Sequence, residues 1–374
     1  MIPLARKTML HEWRRFIPAV MAVGFCGVLL AVQAALVLGI FGSAAVYVTA
    51  SSADLWAGYP GTQSVNFGRS IGADVEMRLR MEPEVTAVEP YIWVDGDWRG
   101  TTDSSGIAVY ISGIDTQGSM MFSHLLSPAL RRLLQEPGAV IVDKSEREQL
   151  NVGRDGKGWI NGQPVHIVAT LAGLRGLGGV NVVTSLDTAR TLQTEGGAGA
   201  TYYVAKLQRP AQAPAVAAKL LPDARFGPYA VWTADAFAKR SQLYWLFDTG
   251  AGVAVLFMAV IVLLVGAVIT SQSLLGVIAS SAREYAMLNA LGVSHRSLSR
   301  IVIEQSGWIG GAGLIVATLA SALLLACAAA YGVPTHMNMP VATICMALVI
   351  ILALVSGLFA LRGLMRADPT LLLR

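Results

Sequence analysis

Three stretches of this chain contain no Asp, Glu, Lys or Arg: residues 16–53, 249–282 and 305–361. A chain crossing hydrocarbon must satisfy its own N–H and C=O groups, which a helix of about 20 mostly apolar residues does. The first two stretches each hold one such span. The third is long enough for two, and "YGVPTHMNMP" (331–340) divides it with two prolines and several polar residues. Four spans are therefore expected, at 17–46, 246–274, 303–330 and 340–361. Composition agrees, since only 14% of residues are charged where soluble domains carry about 25%.

Orientation follows from Lys and Arg in the short segments. Residues 1–15 hold Arg6, Lys7, Arg14 and Arg15, the segment 276–304 holds Arg283, Arg296 and Arg300, and the tail holds Arg362, Arg366 and Arg374. The loop between spans three and four has none. Both termini and the 276–304 segment are expected in the cytoplasm, and the large region between spans one and two on the other side. That region, 49–248, has 18 Lys/Arg against 20 Asp/Glu, a balance of −2, so the cytoplasmic pieces carry +6 where the whole chain has a net charge of +4. Such a distribution suits anionic headgroups and not nucleic acid. Cys26, Cys327 and Cys345 all fall in spans, so the outside domain needs no oxidative folding. "EWRRFIPAV" has the look of a twin-arginine signal, but secretory apolar runs measure about 7–15 residues, and the longer run here reads as an uncleaved anchor.

The fold class expected is a membrane protein, with an α-helical four-span transmembrane domain and a mixed α/β extracytoplasmic domain inserted between spans 1 and 2. "GIAVYISGI" (106–114) and "GAVIVDKSEREQL" (138–150) predict strands, the second leading straight into a helix. "GKGWINGQPVHIVATLAG" (156–173) predicts a hairpin turning at Asn161–Gly162, "TYYVAKL" another strand and "PAQAPAVAAKLLP" a short helix. Strands 138–142, 165–171 and 201–207 are expected in one sheet. Residues 16–48 as helix would measure about 50 Å against a hydrocarbon core of about 30 Å, so span one projects beyond the bilayer. Thr233 is a suitable N-cap with Asp235 in the first turn, and from there a helix is expected to run continuously into span two. Together these make a stalk.

The charged island "REYAMLNALGVSHRSL" (283–298) places Tyr285, Leu288 and Leu291 at helical spacing, with Met287 beside them. Gly292 supplies a C-terminal stop and Ser294 a new N-cap. By pattern alone it is an ordinary surface hairpin, or else an apolar knob ringed by charge.

These residues resemble the signature of MacB/FtsX-type ABC transporter permeases: Arg283, Glu284, then Ala290-Leu291-Gly292 and a helix reaching Glu304. The ending with Asp368-Pro369 among leucines and arginines is also similar to that family's. The size resembles its four-span, DevC-like branch, with the ATPase on a separate chain. The resemblance implies that 276–302 is a cytoplasmic coupling elbow, in which Arg283, Glu284, Tyr285, Met287, Leu288, Leu291, Gly292 and Glu304 engage a cytoplasmic ABC ATPase. It implies further a second copy of the chain, in some members a periplasmic adaptor (membrane fusion) protein, and residence in the bacterial inner membrane. The segments are then 1–48 (cytoplasmic amino terminus and span one), 49–233 (extracytoplasmic domain), 234–275 (stalk and span two), 276–302 (elbow), 303–361 (spans three and four) and 362–374 (cytoplasmic tail). The work implied is ATP-driven movement of the periplasmic domain to export or extract an envelope substrate. The alternative is a non-transporting, FtsX-like regulator of a cell-wall hydrolase.

The chain itself has no G-x-x-x-x-G-K-[ST] phosphate loop. "GRDGKG" (153–158) has the wrong spacing, so ATP would be bound by the partner and no cofactor is expected here. Ala31, Ala35, Gly39 and Ser43 line one face of span one, with Gly307 and Gly311 in the same relation in span three. Such faces serve close helix packing, within one subunit or between two. His336, Met337 and Met339 read as a polar loop and not a metal site, and the glycines at 173, 176, 178 and 179 as a flexible loop. Neither His124 nor His166 neighbours a nucleophile motif, so no catalytic site is expected. Gln33 should bond a helix neighbour.

Overall fold

The computed structural model describes residues 13–100, 105–152, 156–193, 199–220, 222, 224–280 and 295–366. The chain divides into two compact units, Met1–Gly39 with Val253–Arg374, and Ile40–Gly252.

The first unit contains four long helices, α1 (Trp13–Ser43), α8 (Ala251–Ser280), α9 (His295–Ala330) and α10 (Met339–Arg366). All four are long and apolar enough to cross a membrane, over Trp13–Ser43, Ala251–Val277, Ile303–Ala330 and Met339–Leu358. The spans read from charge-free stretches are thus present. Lipid gives helices no hydrophobic drive to associate, so close contact depends on small residues. A Cβ on Gly24 would meet Val316, one on Gly310 would meet Ala353, and Gly27 lies under Ala317 and Val349. Around them Phe16, Ala19, Val23, Cys26, Ile309 and Val349 form the buried core. Gln33 Nε2 donates to the carbonyl of Val255, 3.2 Å away, which is the helix-neighbour bond its place in span one suggests. Outward-facing Leu256, Phe257, Leu264, Ile315, Leu319 and Leu323 are exposed, as a lipid-facing surface requires.

The second unit is mixed α/β. Its strands are β1 (Leu55–Gly58), β2 (Ile71–Gly72), β3 (Val85–Arg99), β4 (Ile107–Ile114), β5 (Ala139–Asp143), β6 (Lys157–Ile160), β7 (Gln163–Leu171), β8 (Val180–Ser185), β9 (Gly199–Ala200), β10 (Tyr202–Leu207) and β11 (Ala230–Thr233). Nine form one sheet in the order β11-β1-β10-β3-β4-β8-β5-β7-β6, and β2 pairs with β9. Trp98 and Arg99 at the end of β3 also pair with Ile160 and Trp159 of β6, so six of the nine strands close into a ring. The three strands expected in one sheet share it. β5 and β7 are parallel neighbours, while β10 lies beyond β3, β4 and β8.

Alternation along the strands explains why both sheet faces are dry. Leu55, Ala57, Val140, Val142, Val182, Tyr203 and Ala205 enter one core, together with Val75 and Leu79 of α3 (Asp74–Arg80), Ala189 and Leu192 of α5 (Leu186–Leu192) and Val216 of α6 (Ala213–Lys219). Trp56, Ile141, Val183, Tyr202 and Val204 enter the other. That second core is covered by Tyr47 and Val48 of α2 (Val46–Thr49), Leu134 at the end of α4 (Pro128–Leu133) and Phe237 of α7 (Ala234–Leu243). Strands covered on both faces read as continuous apolar runs, which is the character of "AVIVD" and "VNVVTS".

The structure corrects three expectations. α1 ends at Ser43, and after a turn at Ala44–Ala45 only one further helical turn forms, so 16–48 is not one helix. The chain after β5 is a series of turns and not a helix. Glu146, Gln149 and Asn151 each donate to the carbonyl three residues back, and the Asp143 carboxylate takes the Ser145 N–H at 2.9 Å, competing with helical pairing. The helix from Thr233 is not continuous into span two. It passes into a π-turn at Tyr244–Asp248 and breaks at Gly250, whose φ of 75° lies where only glycine is comfortable. The Asn161–Gly162 turn has φ of 50° and 80°, the primed hairpin geometry.

Phe237 is fully buried against Trp232 (centroids 4.9 Å apart, stacked), Trp56 and Tyr202. Phe237→Ala should lower the stability of the second unit by about 3–5 kcal/mol. Thermal unfolding of the whole chain in detergent checks this, and an unchanged midpoint would mean that α7 is not docked through this ring.

Candidate functional site: the paired crossings of the inserted domain

The polypeptide enters the second unit through Ala44–Asp54 and leaves it through Thr233–Gly250, and these two crossings are packed together, α2 against α7. One residue links them. Asp54 accepts from Leu207 N through its carboxylate at 2.9 Å, and Lys206 Nζ lies 3.4 Å from the same group. Its backbone N–H donates to Ala205, and its carbonyl accepts from Ala234 N at 3.0 Å, at the first residue of α7. Thr233 caps that helix, its side chain accepting from Ala236 N at 3.2 Å, as its sequence position suggests. An open cleft of about 620 Å³ lies between the crossings, lined by Thr49, Ser51, Asp54, Pro210, Asp235 and Ala238 among others.

The entry crossing is also tied to the glycine-rich loop. Tyr47 is fully buried and donates its hydroxyl to Asn181 Oδ1 at 2.5 Å. The Asn181 amide nitrogen donates to the Leu174 carbonyl, and Leu174 N donates to Asp143 Oδ2 at 2.8 Å. Asn181 N donates to Glu146 Oε2 at 3.3 Å, and Arg175 Nε stands 3.8 Å from the same carboxylate. A Cβ at Gly176 would press into the Asn181 amide and within 3.1 Å of the Tyr47 hydroxyl, so a residue without one is required there. The loop expected to be flexible is thus anchored at Leu174, Arg175 and Gly176.

Glu146 is only 4% exposed. Burial pushes its carboxyl up to about 7, with the charge of Asp143 adding to the rise, while the Asn181 N–H and Arg175 oppose it. Burial likewise raises Tyr47, so its phenol stays protonated and donates.

The elbow residues Arg283, Glu284, Tyr285, Met287, Leu288, Leu291 and Gly292 lie outside the described residues, as do Asp368 and Pro369. Glu304 is exposed on α9. On α1, Ala35 is fully buried and its carbonyl accepts from His336 N at 3.1 Å, while Gly39 lies under Pro334 and Thr335. Part of the small-residue face is therefore occupied by the chain's own 334–336 loop. Ala31 is half-buried, and Ser43 donates to the Ile40 carbonyl at 2.6 Å. Gly307 and Gly311 face open space. Among the described residues no group of three His, Cys, Asp or Glu is placed to hold a metal ion. Sequence reading did not single out Tyr47, Asp54, Glu146 or Asn181. Only Asp54 carried a signal, as the first charge after a charge-free stretch.

The sign of the Glu146 effect is set by its raised value. The unfolded chain ionises near the ordinary 4.5 and the folded one near 7, so the folded state holds the extra proton. Stability is greatest below the lower value and falls as pH rises through this window. Melting temperature of the whole chain should therefore drop between pH 5 and 8, and Glu146→Gln should flatten that dependence. An identical slope in the variant would place the titration elsewhere.

No curated protein matches the sequence. Solved structures similar to it include the following two. The periplasmic region of MacB from Actinobacillus actinomycetemcomitans aligns at 13% identity over 51% of this chain and 94% of that one, with a TM-score of 0.35. The extracellular domain of the noncanonic ABC-type transporter YknZ from Gram-positive bacteria aligns at 16% identity over 48% and 100%, with a TM-score of 0.34. Residues 256–369 match the FtsX-like permease C-terminal family. That region takes in most of α8 and all described residues of α9 and α10. The carboxy-terminal membrane region thus matches the FtsX-like permease family, within a chain that has four helices long and apolar enough to cross a membrane.

Proposed function

We propose that the chain is the permease subunit of an ABC transporter, which couples ATP hydrolysis by a cytoplasmic partner to movement of its inserted domain and so exports or extracts an envelope substrate. The single observation that carries this reading is the FtsX-like permease match over 256–369. The inserted domain adds support, because its two crossings are packed together and linked through Asp54, an arrangement suited to passing a displacement into a sheet. In this reading both termini and the 276–302 elbow are cytoplasmic, and the domain is periplasmic. ATP is bound by the partner, since the chain has no phosphate loop. Two copies assemble on two ATPase subunits, and the open faces of Gly307 and Gly311 suit close approach of a second copy. An adaptor protein beyond the membrane fits the same scheme.

The elbow is the point of force transfer, with Met287, Leu288 and Leu291 as its apolar knob, Gly292 as its bend and Arg283, Glu284, Tyr285 and Glu304 around it. Leu291→Asp and Gly292→Pro should abolish stimulation of the co-purifying ATPase while leaving the protein inserted and dimeric. The assay co-expresses the chain with ATPases encoded nearby and measures turnover in membranes. Full stimulation in both variants, or reporter fusions that place position 291 outside the cell, would defeat the proposal.

A further inference from the structure

The π-turn Tyr244–Asp248 faces a loop that the transport reading leaves unused. Tyr59–Thr62 forms a tight turn, with Pro60 followed by Gly61 at φ 82°, and the Thr62 hydroxyl donates back to the Tyr59 carbonyl at 2.7 Å. Phe67 packs edge-on to Tyr244 at 5.4 Å and stacks on Trp245 at 5.9 Å, whose indole donates to Ser64 Oγ at 3.1 Å. These residues enclose an open pocket of about 310 Å³. Its walls include the rings of Tyr59, Phe67 and Tyr244, and the guanidinium of Arg69 lies over the Tyr59 ring at 5.4 Å. Beside it Arg240 donates to Gln63 Oε1 at 3.2 Å and covers Trp232.

Four features select an occupant. Arg69 is exposed and has no carboxylate partner among the described residues, so its charge is available to an anion, whereas Arg80, Arg99, Arg175, Arg190 and Arg209 each lie beside a carboxylate. The carboxylate on the π-turn, Asp248, is exposed and is not among the pocket's lining residues. Phe67, Leu243 and Phe247 are about half exposed, an apolar rim that water does not favour. Finally, Tyr244 precedes the first residue of the apolar helix Ala251–Val277 by seven positions, a distance the chain spans in at most about 25 Å. Aromatic residues and arginine adjoining a span are the composition of a membrane–water interface.

We propose that this pocket holds the phosphate of an anionic phospholipid headgroup, with Arg69 as its direct charge partner, Arg240 adding to the positive field, and Phe67, Leu243 and Phe247 resting on the lipid. The proposal stands whichever ATPase serves the permease.

The test uses the full chain carrying a photoreactive benzoylphenylalanine at position 67, reconstituted in nanodiscs of phosphatidylglycerol or of phosphatidylcholine. Mass spectrometry should find a lipid adduct, about fivefold more abundant with phosphatidylglycerol, because both headgroups carry the phosphate but only phosphatidylcholine adds a quaternary ammonium that the Arg69 and Arg240 charges repel by about 1 kcal/mol. Arg69→Gln should remove that preference, whereas Arg190→Gln, an exposed arginine paired with Asp187, should leave it intact. Soluble glycerol phosphate should not compete. Cross-linking of position 67 to a second copy, equal labelling by the two lipids, preference unchanged in Arg69→Gln, or displacement by glycerol phosphate would each overturn the assignment.

Discussion

Asp54 is where the chain's two regimes meet. It is the first ionised side chain after the charge-free stretch 16–53, so it is the first carboxylate the chain can offer to hydrogen-bond donors beyond that stretch. Two groups of β10 use its carboxylate, and its own backbone pairs with β10 on one side and the start of α7 on the other. Each bond to a charged group contributes about 1.5–3 kcal/mol. Because β1 lies between β10 and β11, the residue that fixes the incoming strand also fixes the outgoing one. A sheet that received its entry and exit on separate edges would have no such common point.

Hydrocarbon imposes a different solution on the other unit. There Gly24, Gly27 and Gly310 sit where a neighbouring helix passes, while the leucines that would dominate a soluble core face outward. That inversion made the spans the most legible part of the sequence. Absence of charge over 20 or more residues has few other readings, and four helices stand where it placed them. The hairpin at Asn161–Gly162, the strand "TYYVAKL" and the Thr233 cap were equally legible, because each depends on chemistry local to a few residues.

Expectations that required knowledge of a neighbour failed. A helix after β5 is consistent with "DKSEREQL", but the side chain of Glu146 is drawn inward by Asn181 N, thirty-five positions away, and Asp143 competes for the first N–H groups. The continuous stalk was inferred from the lack of Gly or Pro before Gly250, and the helix instead widens into a π-turn where Trp245 reaches back to Ser64. The elements of residues 50–135 carry little periodicity, since strands covered on both faces lose the alternation that reveals a half-buried strand. Of the candidate site, the Thr233 cap could be read in advance, whereas Asn181 draws together Tyr47, 134 positions away, and Glu146, 35 positions away.

The magnitudes separate the two attachments of the entry crossing. On one side it is held by Trp56 and the rings around it, where full burial of each large side chain contributes about 1.5–3 kcal/mol, and by the charge-assisted bonds of Asp54. On the other it meets the glycine-rich loop through a neutral hydrogen bond from Tyr47, a class contributing about 0.5–1.5 kcal/mol net. That bond leads to an asparagine that also serves a buried carboxyl titrating near 7. Around neutral pH the loop's support is therefore divided between a protonated and an ionised Glu146, and ionisation there costs free energy that Arg175, at 3.8 Å, offsets only in part. Tyr47 is itself fully buried in the core that holds Trp56, so what distinguishes the loop side is the carboxyl behind Asn181 and not the packing of the ring.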